Sequence, residues 1–436
     1  NAELSDPVEA ISTSAQGEAV TPVAADGTML APSQITFDTR AVAQAERLGE
    51  AVGRRRVHHI TGHPAHPMFS IAKMMWWEEH APEIAAKTWK YLCYGDLVTW
   101  RLGGEAAIDT TMAARTGAFD VEADCWSTAV LVAAGVSLDK LPTVARPGTP
   151  VGQVDAALAR DLGFTGRPLL VAGGHDQPCG AFGADASAPG EAAFAIGTTV
   201  CLAPVFAQRA EGLMDLDYCC YPHVVPGRWI TLAGNFTGGS LMRWYRDTFG
   251  DYALAQAAAT GRDVYDILTE EAGTEPSPLL VLPHFGGSGP PHNDPRSKGA
   301  IVGLGFGTTR PQIVRALLEG VMFEIALNRD TLAGAGVDVA RVTATGGGSR
   351  SDRWLQITAD VLGVPVRRSA QTEAACWGAA RLAGQGAGIL PTDSAAAAGR
   401  EATVFSPNPA LAEYYRDRRA LYREVYGALR PLNAAL

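Results

Sequence analysis

The sequence predicts an α/β protein with largely parallel or mixed sheets. Three observations carry that expectation. Short apolar runs that break on glycine alternate with segments of helical period, the pattern of strands feeding helices. At 436 residues the chain exceeds a single core and divides into two or three domains. Apolar content of 47% and charged content of 19% are those of an ordinary globular chain.

The elements follow in order. Ala10–Thr13 and Ala19–Val23 flank the stretch AQGE and read as short strands, with a turn at AADGT, 24–28. Met68–His80 and Thr88–Leu102 carry helical periodicity, with Trp76, Trp77, Trp89, Leu92, Leu97 and Val98 on apolar faces. Leu131–Val136 closes a short helix, and PGTPVG at 147–152 reads as a connector. RPLLVA, Arg167–Ala172, reads as a buried strand that breaks at GGHDQ. Ala192–Val205 predicts two strands joined across GTT. Trp229–Gly234 is a strand entering a helix, Met242–Thr248, through GNFTGG. After Leu279–Pro283 the loop HFGGSGPPHNDP is too turn-rich for regular structure. Ile313, Leu317, Val321 and Ile325 recur at helical spacing and place a helix over Pro311–Leu332. VTATGGG at 342–348 is a strand running into a glycine loop, followed by a helix at 351–363 and a strand at 364–368. An Ala-rich patch near 395–398 is the one low-complexity stretch.

Composition removes several classes of function. A formal charge of −10 offers no basic field for nucleic acid. No apolar run reaches the roughly 18 residues that span a bilayer, and no signal-peptide pattern opens the chain. Seven scattered cysteines, an odd number without CxxC spacing, argue for free thiols in a reducing cytoplasm. The adjacent pair Cys219–Cys220 reads as packing before it reads as a reactive dithiol. There is no GxxxxGK[ST] and no GxSxG, and GLGFG at 303–307 lacks both the GxGxxG spacing and a following helix. His58, His59, His63 and His66 cluster in sequence, but Pro64 and Pro67 keep them off one helical face, so substrate contact or plain surface outranks a metal site.

What remains suits phosphoryl transfer, which needs positioning, charge stabilisation and a carboxylate to take the attacking hydroxyl's proton. Asp176, at the end of the 167–172 run between His175 and Gln177, is either a helix cap or such a base; strand C-termini of α/β domains are where ligands bind. Strand-to-glycine elements at 173, 234 and 346 each offer backbone N–H groups to an anion, and the GTT turn adds two hydroxyls. Ser349 and Ser351 are N-cap candidates for the helix after GGG. Singly, each glycine group is a turn more often than a phosphate site; their order behind Asp176 is harder to dismiss.

Five segments in this order resemble the FGGY carbohydrate kinases, the family of xylulokinase, gluconokinase and glycerol kinase. MFSIAKMMWWEE (68–79) is similar to the first family signature, with Lys73 and Trp76 in place and Trp77 where an aliphatic residue is usual. GAIVGLGFGTTRPQIVRALLEG (299–320) fits the second, including Gly303, Gln312, Ala316 and Glu319. GGHDQPCGAFGA, LPHFGGSGPPHNDPRSKGAIVGL and GGGSRSDRWLQITADVLGVPV are the other three. The resemblance runs from about residue 8 to about residue 390.

The resemblance implies two ribonuclease-H-like domains of the actin/hexokinase/Hsp70 superfold with an interdomain cleft, here a sugar-binding domain over 1–183 and an ATP-binding domain over 184–436. It implies that Asp176 is the catalytic base and that Gln177 touches substrate. It places Gln16 and Glu18 of AQGE on sugar hydroxyls. Asp38 and Arg40 of FDTRA, where Phe37 replaces the usual Trp, line or support that site, and His66 of HPAHPM faces the sugar. Gly197, Thr198 and Thr199 match a phosphate loop; Gly238 and Gly239 lie near the nucleotide phosphates; Gly347, Gly348 and Ser351 match the adenosine motif. The cofactors implied are ATP and Mg2+. The partners expected are a small sugar or polyol and ATP, with neither nucleic acid nor membrane, and a homodimer is an admissible assembly.

One departure accompanies the matches. Relatives carry a first phosphate loop, D-x-G-T-[TS], well upstream of their AQGE-like segment, and here only 15 residues precede Gln16. The expectation is that the natural chain is longer. The reading is ATP-dependent phosphorylation of a ketopentose such as xylulose, or of a related sugar, aldonate or polyol. A catalytically deficient sugar-binding homologue acting as a sensor or subunit is the rival, with another ATPase of the same superfold behind it. The absence of Arg from AQGE weighs against a glycerol-type substrate.

Overall fold

The computed structural model describes residues 7–391 and 402–436; the Ala-rich patch at 395–398 lies outside them. By its internal contacts the chain forms two compact units. The first runs to Ser187 and adds Ala207–Thr231 and a segment beginning at Glu373; the second comprises Ala188–Phe206, Leu232–Thr372 and the C-terminal segment.

In the first unit, strand Ala10–Ala15 lies parallel to Leu169–His175, which pairs antiparallel with Pro150–Gln153. The 167–172 run therefore continues as a strand to His175, and Pro150–Gln153 is an edge strand where a connector was expected. Gly173 lies inside the strand instead of opening a loop. A Cβ there would sit 1.8 Å from the carbonyl oxygen of Thr13, so only glycine lets the neighbouring strand approach at its irregularity between Ser12 and Ser14. The chain turns at His175 straight into helix Asp176–Gly183, which packs against helix Ala374–Gly386.

Thr88–Leu102 also differs from expectation. Lys90–Cys93 is a strand paired antiparallel with Val20–Val23, and only Tyr94–Arg101 is helical, entered where Asp96 accepts the Cys93 N–H at 3.0 Å. Of the residues that suggested one helix, only Leu92 is buried, on the strand; Trp89 precedes the strand and is exposed, and the helix buries Gly95, Asp96 and Thr99 while Val98 faces outward. Helix Ser70–His80 buries Ile71, Met74, Met75 and Trp77 against Val20 and Tyr91.

The second unit is built on a mixed sheet in the order Ala233–Asn235, Val200–Phe206, Glu191–Ile196, Arg341–Thr345, Val366–Arg368, Val404–Phe405. The predicted pair across GTT is present as a hairpin. The expected Trp229–Gly234 strand is two short ones, Trp229–Ile230 and Ala233–Asn235. Helix Arg310–Gly334 starts at a capping box of Thr309 and Gln312 with Pro311 in its first turn, and buries Leu317, Val321, Phe323 and Ile325 among Phe194, Leu202 and Val342. Helix Asp352–Leu362 is capped by Ser351, whose Oγ accepts the Trp354 N–H at 3.2 Å. Ser349 does not cap it; its Oγ–H turns back to the Gly346 carbonyl at 2.7 Å.

No helix among the described residues is long and apolar enough to cross a membrane. The cysteines are free thiols, and Cys220 is fully buried, in keeping with packing.

Candidate active site

The parallel register pairs Ala15 with His175, so Gln16–Glu18 and Asp176 leave the same carboxyl edge of the first unit's sheet. Asp176 opens its helix, and its Oδ1 lies 3.1 Å from His175 Nε2. Burial raises its carboxyl to about 6, and the like charge of Glu18 adds to the rise, while Gln177 and Arg115 oppose it. A carboxylate in that range is ionised at neutral pH and still basic enough to accept a proton.

Glu18 sits at φ 68, a left-handed conformation seldom taken by a residue with a Cβ. The surroundings fix it there. Its carbonyl accepts Ser70 Oγ at 3.0 Å and Lys73 Nζ at 2.9 Å, and its carboxylate takes Thr36 Oγ1 at 3.0 Å and the guanidinium of Arg115. Lys73 is fully buried, also donates to Met68 O at 2.6 Å, and is lowered by burial to about 8. The Arg115 guanidinium lies 5.2 Å from the Phe69 ring and 5.6 Å from the Tyr221 ring, cation–π contacts that help carry its charge indoors. His66 packs edge-on to the same Phe69 at 6.5 Å.

The structure therefore gathers Glu18, His66 and Asp176 around one constellation with Gln177 adjoining it. Gln16 is exposed at the strand end. Asp38 and Arg40 close on each other at 2.6 Å, with Arg40 4.8 Å over Trp76, so they form a finished pair at the rim of this region. Sequence reasoning missed Arg115, Tyr221 and the part played by Lys73. Arg115 ends helix Thr110–Arg115 in the unremarkable run TTMAAR, and Tyr221 arrives on a distant segment, so neither left a local signal. Lys73 was visible as a lone lysine on an apolar helix face.

The second unit gathers the glycine groups. Ala195 pairs in parallel with Thr345, so the GTT turn and the GGG turn leave one sheet edge side by side. The GNFTGG loop folds onto the first of these. Gly238 N–H donates to Thr198 O at 3.0 Å and Gly239 N–H to Gly197 O at 2.7 Å. These two amides are thus spent on shaping the turn. A Cβ on Gly238 would meet the backbone of Thr199 at 2.8 Å, which explains the glycine. Gly197, Thr198 and Thr199 are exposed, and neither threonine hydroxyl makes a hydrogen bond among the described residues. Gly347 and Gly348 open the turn Gly347–Arg350. Beside Ser351 lies a hollow of about 520 Å3 lined by Asp266, Glu270, Arg350, Arg353 and Phe405 among others. No cluster of three or more His, Cys, Asp or Glu side chains able to hold a metal occurs among the described residues.

Comparison with known proteins decides the family. The N-terminal domain of the FGGY family of carbohydrate kinases matches residues 3–183, and its C-terminal domain matches residues 194–387. The chain belongs to the FGGY family of carbohydrate kinases. Its activity is that of an ATP-dependent kinase acting on a sugar or polyol hydroxyl. The chain is 26% identical to a xylulose kinase of Bacillus subtilis over 98% of its own length and 85% of the relative's. It is 33% identical to a glycerol kinase of Thermus brockianus, over 91% of this chain and 78% of that one. The crystal structure of a xyloylose kinase from Brucella ovis superposes with a TM-score of 0.86 at 27% identity, covering 98% of this chain and 86% of the other. The FGGY architecture of two α/β domains is thereby shown.

Proposed function

We propose that this FGGY kinase transfers the γ-phosphate of ATP to a hydroxyl of a ketopentose such as xylulose, or of a related sugar or aldonate, with Asp176 as the general base. The observation that supports this most is the Asp176 carboxylate, at a sheet's carboxyl edge, lifted to about 6 and in no Arg or Lys ion pair of its own among the described residues. It takes the proton as the hydroxyl attacks. Glu18, Gln16, Gln177 and His66 bind and orient the sugar, and Asp38 and Arg40 support that face. Gly197, Thr198 and Thr199 receive the phosphates, with Gly238 and Gly239 near them holding the turn in shape. Gly347, Gly348 and Ser351 hold the adenosine, with the hollow beside Ser351 as its seat.

Mg2+ belongs to this proposal as a cofactor. It is suited to a site without a protein cage, because in kinases it is carried largely on phosphates with one or two carboxylates. When bound it neutralises phosphate charge; the free hydroxyls of Thr198 and Thr199 are the groups of this chain that would face it. The reading extends to a domain boundary at 183/184, a cytoplasmic location and a homodimer. A coupled ADP-release assay over ketopentoses, aldonates and polyols tests the substrate. ADP release stimulated by a ketopentose, a related sugar or an aldonate supports it, and stimulation confined to polyols such as glycerol overturns it.

A further inference from the structure

His175 and Tyr221 extend the constellation inward from Asp176. His175 is 4% exposed and Tyr221 is fully buried. The His175 backbone N–H donates to Thr111 Oγ1 at 2.7 Å, and Thr111 is held in turn by Asp109, whose Oδ1 accepts the Thr111 N–H at 2.9 Å. The imidazole is thereby fixed at the strand end. Its Nδ1 lies 3.0 Å from the Tyr221 hydroxyl and its Nε2 lies 3.1 Å from Asp176 Oδ1.

Burial, reinforced by the nearby Arg115 charge, holds His175 well below its ordinary range, so the ring is neutral at pH 7 and carries one N–H. A neutral ring placed between a hydroxyl and a carboxylate has one favourable tautomer. The Tyr221 O–H donates to Nδ1, and the proton sits on Nε2, facing Asp176. The opposite tautomer would set a lone pair against the carboxylate.

We infer that His175 and Tyr221 are positioning residues that orient Asp176 and keep its carboxylate in the proton-accepting form. The inference rests on the reading of Asp176 as the base. With Oδ1 engaged by Nε2–H, Oδ2 is the oxygen that takes the acceptor hydroxyl's proton, beside the Gln177 side chain that also acts on this carboxylate. Other groups face this pair: Glu18 and Arg115 act on Asp176, Cys179 lies one turn along its helix, and His63 lies against Tyr221 with ring centroids 5.2 Å apart. Glu18 pushes the carboxyl up and Arg115 pulls it down, so the histidine works beside two opposed charges.

Two side chains separate the role from simple packing. Asn at 175 reproduces the Nδ1 side of the ring and loses the Nε2 donor; Gln reaches the Nε2 position with an N–H. His175→Asn is expected to move the acid limb of kcat against pH upward by roughly one unit, and Tyr221→Phe to move it in the same direction. His175→Gln is expected to return it close to the wild-type position. The same order is expected for the Asp176 carboxyl titration in protein carrying 13C at aspartate Cγ, assigned with Asp176→Asn. Thermal melts check that each variant is folded, and Tyr221→Phe stands in if an imidazole replacement is not. An unmoved limb and titration in His175→Asn and Tyr221→Phe, or equal displacement by Asn and Gln, overturns the inference. A wild-type protein without sugar-dependent turnover would instead contradict Asp176 as base, and the carboxyl titration would then judge the His175–Tyr221 relay alone.

Discussion

Glu18 and Arg115 form an ion pair in which both side chains are less than one-tenth exposed, although Glu18 occupies a backbone conformation few residues of its kind adopt. Breaking one side of such a pair leaves an uncompensated buried charge and costs about 3–5 kcal/mol. Glu18→Gln is therefore expected to lower the denaturation midpoint substantially. It is also expected to lower the Asp176 carboxyl, because a like charge disappears while Arg115 stays. The acid limb of activity moves to lower pH, opposite in sign to His175→Asn, and a pH–rate profile reads it.

Asp176 also carries a stability signature. Its carboxyl is raised in the folded protein to about 6 from an ordinary value of 3.8, so between these values the native state binds more protons than the unfolded state. Stability from this group is accordingly highest in acid and declines as pH rises through that window. Asp176→Asn is expected to melt above wild type at pH 8, with the difference closing near pH 4. With 37% of the side chain exposed, solvent screening limits the gain to about 1 kcal/mol or less. Calorimetry at the two pH values gives the sign.

The GTT turn tests the nucleotide half. Gly238→Ala sets a Cβ against the Thr199 backbone, whereas a Cβ at Gly427, inside helix Ala412–Asn433, meets nothing within 4 Å. Overpacking at Gly238 costs about 1–3 kcal/mol and displaces the turn. Titration calorimetry with ATP is expected to show weaker binding for Gly238→Ala and a far smaller change for Gly427→Ala. If Gly427→Ala weakens binding as much, the turn geometry is not what matters.

Particular residues show how much was legible in the sequence. The GTT hairpin, the Pro311 helix and the Ser351 cap each have a local cause, a turn triplet, a 3–4 repeat and a cap, and each was readable. Asp176 stood out as an acid ending an apolar run, but that stretch alone left helix cap and base both open, and its place at the start of helix Asp176–Gly183 is what the structure adds. Gly173 was misread because close approach to Thr13 and a loop both call for glycine. Only the neighbouring strand distinguishes them. Arg115 and Tyr221 were hidden for a related reason. Their meaning depends on Glu18 and His175, residues 97 and 46 positions away in the chain.

The central claim is that Asp176 accepts the proton of the attacking hydroxyl. The most direct measurement is the turnover of Asp176→Asn with the sugar that best stimulates ADP release by the wild type, alongside that sugar's binding. The account predicts a fall in kcat of at least about 10²-fold with sugar binding largely retained. Turnover within a few-fold of wild type would contradict it.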